Sequence, residues 1–358
     1  MITHQMKILI LRFSSFGDVT QCLSVPSRLR DLASTADAAA EIHWATRDDM
    51  APLIEGHPQV NFVWTLKREE GLKGLWRLIS ILKKQHFTHI YDAHNSLRSR
   101  MICWLLSPPL SLGRVFDPPA ITRKSKKSLK RFLLFRFHKN YFEKPFSGQR
   151  DLLEPLQKWG LSKELPPPPQ IFIPKSASEA IHQRLEKSHL TTKAFVCLAP
   201  SAAHLLKRWP LEHWKELIRL NPEQNFICVG GPEDHFIDQL VEINPKKVIS
   251  WAGELSLTES AATIAACEIL ISNDTGVLHI GEQLGKKTIA LMGPAPFGFP
   301  SRPSTKIMEI DLPCRPCSKH GQGPCVNEKF QRCLVDITPA QVQKELLRLS
   351  ASPSEAPR

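Results

Sequence analysis

Short apolar runs alternate with longer amphipathic ones along almost the whole chain, and small or glycine-bearing turns separate them. No other feature limits the fold as much. Parallel strands cannot be joined by a tight hairpin and need a crossover, usually a helix, so a strand–helix alternation of this kind reads as βαβ units on parallel sheets. Residues 6–13 (MKILILRF) form a near-continuous apolar run, the pattern of a strand buried on both faces. A helix is expected over 18–32, strands over 41–45 and 61–66, a helix over 72–85, a strand over 89–92 and a helix over 96–106. A second series follows: strands at 194–199, 225–229, 248–249, 269–271 and 288–291, with helices at 210–220, 233–243, 258–266, 276–284 and 339–349. Between the two series, residues 161–176 (LSKELPPPPQIFIPKS) carry four consecutive prolines, which are stiff and cannot continue a helix.

The expected architecture is therefore α/β, with two Rossmann-like domains in tandem. An N-terminal domain over 1–165 and a C-terminal domain over 177–350 flank a proline-rich linker at 166–176, and residues 351–358 form a tail. The length of 358 residues suits two domains. Hydrophobic residues at 42% and charged residues at 23% are ordinary globular usage, which excludes a disordered or fibrous chain. No run approaches the 18 or more apolar residues of a spanning helix. The N-terminus lacks the charged start, apolar middle and cleavage site of a signal peptide, so a cytoplasmic location is expected.

The net charge of +12 is unevenly spread. Residues 1–175 carry 27 Lys and Arg against 15 Asp and Glu, and residues 176–358 carry 20 of each. An anionic partner for the first half is implied: nucleic acid, anionic lipid or a phosphorylated substrate.

In open α/β sheets the ligand crevice lies beyond the carboxyl ends of the strands, and four turns at such positions carry candidate chemistry. Ser14-Ser15-Phe16-Gly17-Asp18 follows the first strand, and its small residues allow close approach of the backbone to a ligand. Asp18 would also serve as a helix N-cap. No GxGxxG is present, which leaves a dinucleotide cofactor unsupported. Ser201, Lys207 and Arg208 precede Pro210 at a helix start, where a lysine and a helix N-terminus make a phosphate site. Gly230-Gly231-Pro232-Glu233-Asp234 is again strand, turn and helix start, and its carboxylates either complement the helix dipole or bind a ribose hydroxyl. Ser272-Asn273-Asp274-Thr275-Gly276 places Asp274 and Thr275 where helix N–H groups are free for phosphate oxygens, with His279 one turn further on.

Taken together, SSFGD at 14–18, KRWP at 207–210, GGPED at 230–234 and SNDTGVLH at 272–279 resemble glycosyltransferase family 9, the ADP-heptose:lipopolysaccharide heptosyltransferases. The CRPC segment and ITPAQV at 337–342 fit the same pattern. The resemblance implies a GT-B fold, with two parallel sheets facing a central cleft. It implies an inverting, metal-independent transfer of heptose from ADP-heptose, a substrate and not a cofactor, to the lipopolysaccharide inner core. Asp18 would be the general base, with Ser14, Ser15 and Gly17 in the acceptor loop. Ser201, Lys207, Glu233, Asp274, Thr275, Gly276 and His279 would bind the donor. The loop Ser201-Ala202-Ala203-His204 lacks the threonines and acidic residues that heptosyltransferases I resemble one another in having, which leaves open another nucleotide-sugar donor on the same fold.

Ten basic residues lie between Arg114 and Lys144, interleaved with Phe132, Phe135, Phe137, Tyr141 and Phe142. Of these, Arg123, Lys124, Lys126, Lys127, Lys130 and Arg131 are the candidate patch for a lipid-linked anionic saccharide acceptor and for an anionic membrane surface. The resemblance accordingly implies a peripheral protein on the cytoplasmic face of the inner membrane. The competing partner is nucleic acid, which the resemblance disfavours, and a non-catalytic basic-surface binding protein is the alternative from another class. Finally, Cys314-x₂-Cys317-x₇-Cys325-x₇-Cys333 contains one CxxC but not the second that makes a zinc signal strong. A structural role in closing the C-terminal loop is expected, with a metal site as the lesser reading.

Overall fold

The structure is a computed structural model that describes residues 5–35, 39–107, 118–188, 190 and 194–351. Arg114 and the tail beyond Ala351 lie outside the described residues. In chain order the first elements are β1 (Met6–Leu11), α1 (Phe16–Cys22), α2 (Val25–Thr35), β2 (Ala40–Arg47), β3 (Phe62–Leu66), α3 (Gly71–Lys83), β4 (His89–Asp92), α4 (Leu97–Leu106), β5 (Ala120–Arg123), α5 (Ser128–Phe137) and α6 (Gly148–Leu153). They are followed by α7 (Lys175–Lys187), β6 (Phe195–Ala199), α8 (Leu211–Leu220), β7 (Asn225–Cys228), α9 (Asp238–Val241), β8 (Val248–Ser250), α10 (Leu257–Ala266), β9 (Ile269–Asn273), α11 (Gly276–Leu284), β10 (Lys287–Leu291), β11 (Thr305–Met308), α12 (Arg332–Val335) and α13 (Pro339–Ala351).

The strands form two sheets in which every pairing is parallel. One has the order β3-β2-β1-β4-β5 and the other β11-β10-β9-β6-β7-β8. Counted from its own first strand, each follows the 3-2-1-4-5 order of a doubly wound fold, and the second adds a sixth strand. The expected α/β class is what the chain adopts. Strand order reverses between β1 and β4 in the first sheet and between β6 and β9 in the second. Those two reversals are where such folds hold ligands. The cores explain the helix placement. Leu9, Leu11 and Phe13 pack with Leu75, Leu78, Ile79 and Leu82 of α3, while Val196, Leu198, Ile269 and Ile271 pack with Trp214, Leu217 and Ile218 of α8 and Leu346 of α13.

The chain divides into two compact units, residues 1–127 with 149–172, and residues 128–148 with 173–358. The division at 172/173 falls inside the proline-rich stretch. Residues 128–148, which sequence order assigns to the N-terminal half, pack with the second unit, and this redistributes the charge. The first unit carries 21 Lys and Arg against 14 Asp and Glu, and the second carries 26 against 21. The excess of +12 splits as +7 and +5, instead of lying entirely on one side.

Other differences are local. The helix expected over 18–32 is two helices, α1 and α2, because Pro26 lacks an N–H and its ring cannot sit inside a continuous helix. The helix expected over 233–243 is reduced to α9. The sequence reading missed β5 and β11, four residues each, the helices α6, α7 and α12, and α5, whose apolar side chains are largely turned outward.

Candidate active site

At the first reversal, β1 is followed directly by Arg12, which is buried, and the chain runs through Phe13 and the Ser14-Ser15 turn into α1. Ser15, not Asp18, is the N-cap of α1; Asp18 is the third residue of the helix and closes a capping box with Ser15, and beyond that capping role it pairs with Arg12. One guanidinium ties the two central strands together here. Arg12 Nη2 lies 2.6 Å from Asp18 Oδ2, and Nη1 donates to the Ala93 carbonyl just beyond β4 at 2.6 Å. The Ser15 hydroxyl donates to the same Asp18 oxygen at 2.9 Å and the Ser15 N–H at 3.3 Å. Three donors therefore converge on Oδ2, and Oδ1 carries none of them. Burial opposes ionisation of Asp18. The Arg12 and Lys124 charges and the Ser15 hydrogen bonds outweigh it, and they hold the carboxyl well below the usual carboxylate range.

The turn after β4 is fixed by Asp92, fully buried, which accepts the N–H groups of His94 (3.2 Å) and Asn95 (2.7 Å) and Arg123 Nε (2.7 Å). His94 packs edge-on against Phe13, with ring centroids 5.8 Å apart. Burial first, then the Arg12 charge, pushes its imidazole down to about 4, so His94 is neutral at pH 7. Within the candidate basic patch, Arg123 pairs with Asp92, Lys124 with Asp151 at 3.2 Å, and Lys127 with Asp151 at 2.7 Å and with Glu154. These three cations brace the unit from within. Arg131 stacks over Phe297, 4.5 Å from the ring centroid, and Lys126 and Lys130 are exposed.

At the second reversal the loop after β6 and the turn after β9 are laced by Asn273. Its amide donates to the Pro200 carbonyl at 2.8 Å and accepts the Trp209 N–H at 3.0 Å. This fixes the segment from Ser201 to Lys207 over the start of α11. Lys207 Nζ lies 2.6 Å from Asp274 Oδ2, and Thr275 is the N-cap of α11, whose first residue is Gly276. Two glycines permit the packing. A Cβ on Gly298 would fall 1.7 Å from Asp274 Oδ1, and one on Gly321, at φ +81°, would fall 2.7 Å from the Lys207 stem.

Three site expectations take a definite structural form here. Glu233 is exposed on the turn after β7. Its neighbour Asp234 is buried and anchors that turn, accepting the Gly231 N–H at 2.8 Å and facing Arg208 at 3.6 Å. His279 is buried, 2.7 Å from Glu282, which also accepts the N–H groups of Ser301 and Arg302 and so ties α11 to the loop that carries Gly298. The four cysteines of the C-terminal cluster are free thiols. Asn327 donates to Cys314 Sγ at 3.5 Å and the Gln331 N–H to Cys325 Sγ at 3.3 Å. Among the described residues no group of three or more His, Cys, Asp or Glu side chains is gathered to hold a metal ion. This loop does buttress the second site: Gln331 donates to the Leu205 carbonyl at 2.5 Å, and Arg315 to the Gly293 carbonyl at 2.9 Å. Arg12, Gly298 and Gln331 are residues that sequence reasoning missed, as it did the lacing role of Asn273 within the SNDTG turn it had singled out.

The sequence profile of glycosyltransferase family 9 (heptosyltransferase) matches residues 75–330. The chain belongs to glycosyltransferase family 9. The glycosyltransferase is similar to lipopolysaccharide heptosyltransferase 2 of Escherichia coli K12, with 24% identity across 95% of this chain and 97% of the relative. Among solved structures, a glycosyl transferase family 9 protein from Veillonella parvula superposes with a TM-score of 0.76 at 20% identity, covering 96% of this chain and 97% of that one. The E. coli ADP-heptose lipopolysaccharide heptosyltransferase II superposes with a TM-score of 0.66 at 21% identity, covering 96% and 98%. The fold of this glycosyltransferase is thus the GT-B fold expected from its sequence. No helix among the described residues is long and apolar enough to cross a membrane.

Proposed function

We propose that this glycosyltransferase moves heptose from ADP-heptose to the inner core of lipopolysaccharide by a single inverting displacement, with Asp18 as general base. The observation that carries the reading is the division of labour within the Asp18 carboxylate: Oδ2 is held by Arg12 and Ser15, and Oδ1 is left for an acceptor hydroxyl. The attacking oxygen bonds to the anomeric carbon, the bond to the diphosphate breaks with its electron pair, and the hydroxyl proton passes to Oδ1. A carboxylate held so acidic is a weak base. Proton transfer is therefore late, occurring once the forming C–O bond has made the hydroxyl acidic.

On the donor side, charge builds on the departing diphosphate. Lys207 supplies a cation, and the free N–H groups at the start of α11 supply fixed dipoles, which together stabilise that charge without calling on a metal ion. Asp274 holds Lys207 in place, and Ser201, Thr275 and Gly276 line the same turns. His279 acts through Glu282 on the loop around Gly298, and Glu233, exposed on its turn, is the nucleoside-side carboxylate. Ser14, Ser15 and Gly17 shape the acceptor turn. The names of the relatives support the donor and acceptor classes.

The decisive experiment incubates the protein with a panel of nucleotide sugars and a core-truncated lipopolysaccharide, reading mass shift and the anomeric configuration of the product. Transfer of heptose with inversion is the expected result. Transfer of a hexose or N-acetylhexosamine instead would favour the same fold with another donor, for which the Ser201-Ala202-Ala203-His204 loop is the structural argument.

A further inference from the structure

The helix α5 has its amphipathy inside out. Arg131, Leu134 and Phe135 share one face, where Leu134 is buried, Phe135 packs edge-on against Phe297 at 6.2 Å and Arg131 stacks on the same ring. Phe142 and Phe146 close around Phe297, each with a centroid distance of 5.1 Å. At 100° per residue the opposite arc carries Leu129, Lys130, Phe132, Leu133, Arg136 and Phe137. There Leu129 is 71% exposed, Phe132 57% and Phe137 54%, and Tyr141 just beyond is 56% exposed. Apolar groups of this size are not left in water on one short helix for packing reasons.

The charge on the same stretch has one sign. Residues 128–142 contain Lys130, Arg131, Arg136 and Lys139 and no acidic residue. Lys130, Arg136 and Lys139 form no ion pair with a carboxylate among the described residues. Lys130 and Arg136 instead lie over the Phe142 and Phe137 rings at 6.0 and 5.6 Å. Helix α3 also exposes Leu72 and Trp76 and is basic overall, with Lys67, Arg68, Lys73 and Arg77 near its start, but its charge is of mixed sign: Glu69 and Glu70 lie among these cations and Glu70 pairs with Arg77 at 2.6 Å.

We propose that α5 is a docking helix for an anionic lipid bilayer. Its outer arc lies in the headgroup region with Leu129, Phe132 and Phe137 entering the acyl boundary, and its cations meet lipid phosphates. A lipid surface fits this arc better than nucleic acid does. Leu129 offers no face for base stacking, and the Phe132 and Phe137 rings pack edge-to-face against each other (5.8 Å, 80°) instead of standing open as parallel platforms. The inner face ends at Phe297, next to Gly298 and the Asp274 carboxylate, so the docking helix is built onto the same unit as Lys207.

The test is co-sedimentation of the full chain with vesicles of phosphatidylglycerol and phosphatidylcholine against vesicles of phosphatidylcholine alone, with no sugar donor present, so that the outcome is independent of the reaction. Binding to the anionic vesicles only is expected. The pair Leu129→Ser and Phe132→Ser should weaken it at least tenfold at any salt concentration. The triple Lys130→Gln, Arg136→Gln, Lys139→Gln should weaken it by about 10²-fold at low salt, and by less as salt rises. Both variants alter exposed side chains, and an unchanged melting temperature checks their folding. Equal pelleting with both vesicle types would overturn the proposal. So would variants that bind like wild type, or binding of a single-stranded oligonucleotide in place of vesicles.

Discussion

Each unit sets a carboxylate and a cation 2.6 Å apart where its strand order reverses, but the two pairs are turned in opposite directions. In the first, the Arg12 side chain is 7% exposed and Asp18 43%; in the second, Asp274 is 5% exposed and Lys207 17%. Under the proposed function, the more open member meets substrate and the buried member holds it. On this view a base and a diphosphate clamp are one device, an ion pair with one end buried, mounted in opposite orientations.

The comparison breaks most visibly at the open ends. Asp18→Asn is expected to lower kcat by roughly 10²- to 10⁴-fold, with donor KM unchanged; a kcat within tenfold of wild type would remove Asp18 as the base. Asp274→Asn, at a buried end, should act through the fold instead. Taking the negative member from a buried pair costs about 3 kcal/mol, read by denaturant unfolding, and a normal unfolding midpoint would show that Asp274 does not anchor Lys207.

Gly298→Ala sharpens the same contrast from a distance. The added methyl must displace the Asp274 carboxylate, and with it Lys207. Donor KM should rise about tenfold, with acceptor KM unchanged, for a loss near 1.4 kcal/mol. The smallest effect is expected from Arg12→Met, seen in the pH profile. With Arg12 in place Asp18 stays ionised far below neutrality, so its protonation imposes no acid limb between pH 8 and 5. Without the guanidinium the largest of the charges that lower it is lost, and the carboxyl titrates at higher pH. Activity should then fall as pH drops through that new value, and a profile identical to wild type would show that Arg12 does not set the acidity of Asp18.

Much of this was legible in the sequence because the rules involved are local. Apolar runs, small-residue turns and the position of sites beyond strand ends placed SSFGD and SNDTG after strands; that both strands border a reversal of strand order follows only from the sheet topology. Arg12 escaped because a charged residue inside MKILILRF looks like an ordinary strand residue; its importance comes from Ala93, distant in sequence. Gly298 and Gln331 escaped for the same reason, since what they touch is set by tertiary packing. The helix α5 was hidden by its inverted pattern: a hydrophobic run predicts burial, and here the larger apolar arc faces water. The even-handed split of charge between the units followed from that one misplaced segment.

The entanglement of residues 128–148 with the second unit has a practical cost for anyone wishing to take the molecule apart. A cut at the proline run, the obvious place, would yield a C-terminal fragment without Arg131, Phe135, Phe142 and Phe146, and with the Phe297 ring bare. A self-sufficient second unit has to be assembled from two pieces of chain, with 128–148 grafted ahead of Ile173. During synthesis, too, a segment made early must wait for a partner made some 150 residues later, so the second unit closes by a long-range contact that folds slowly and is easily missed.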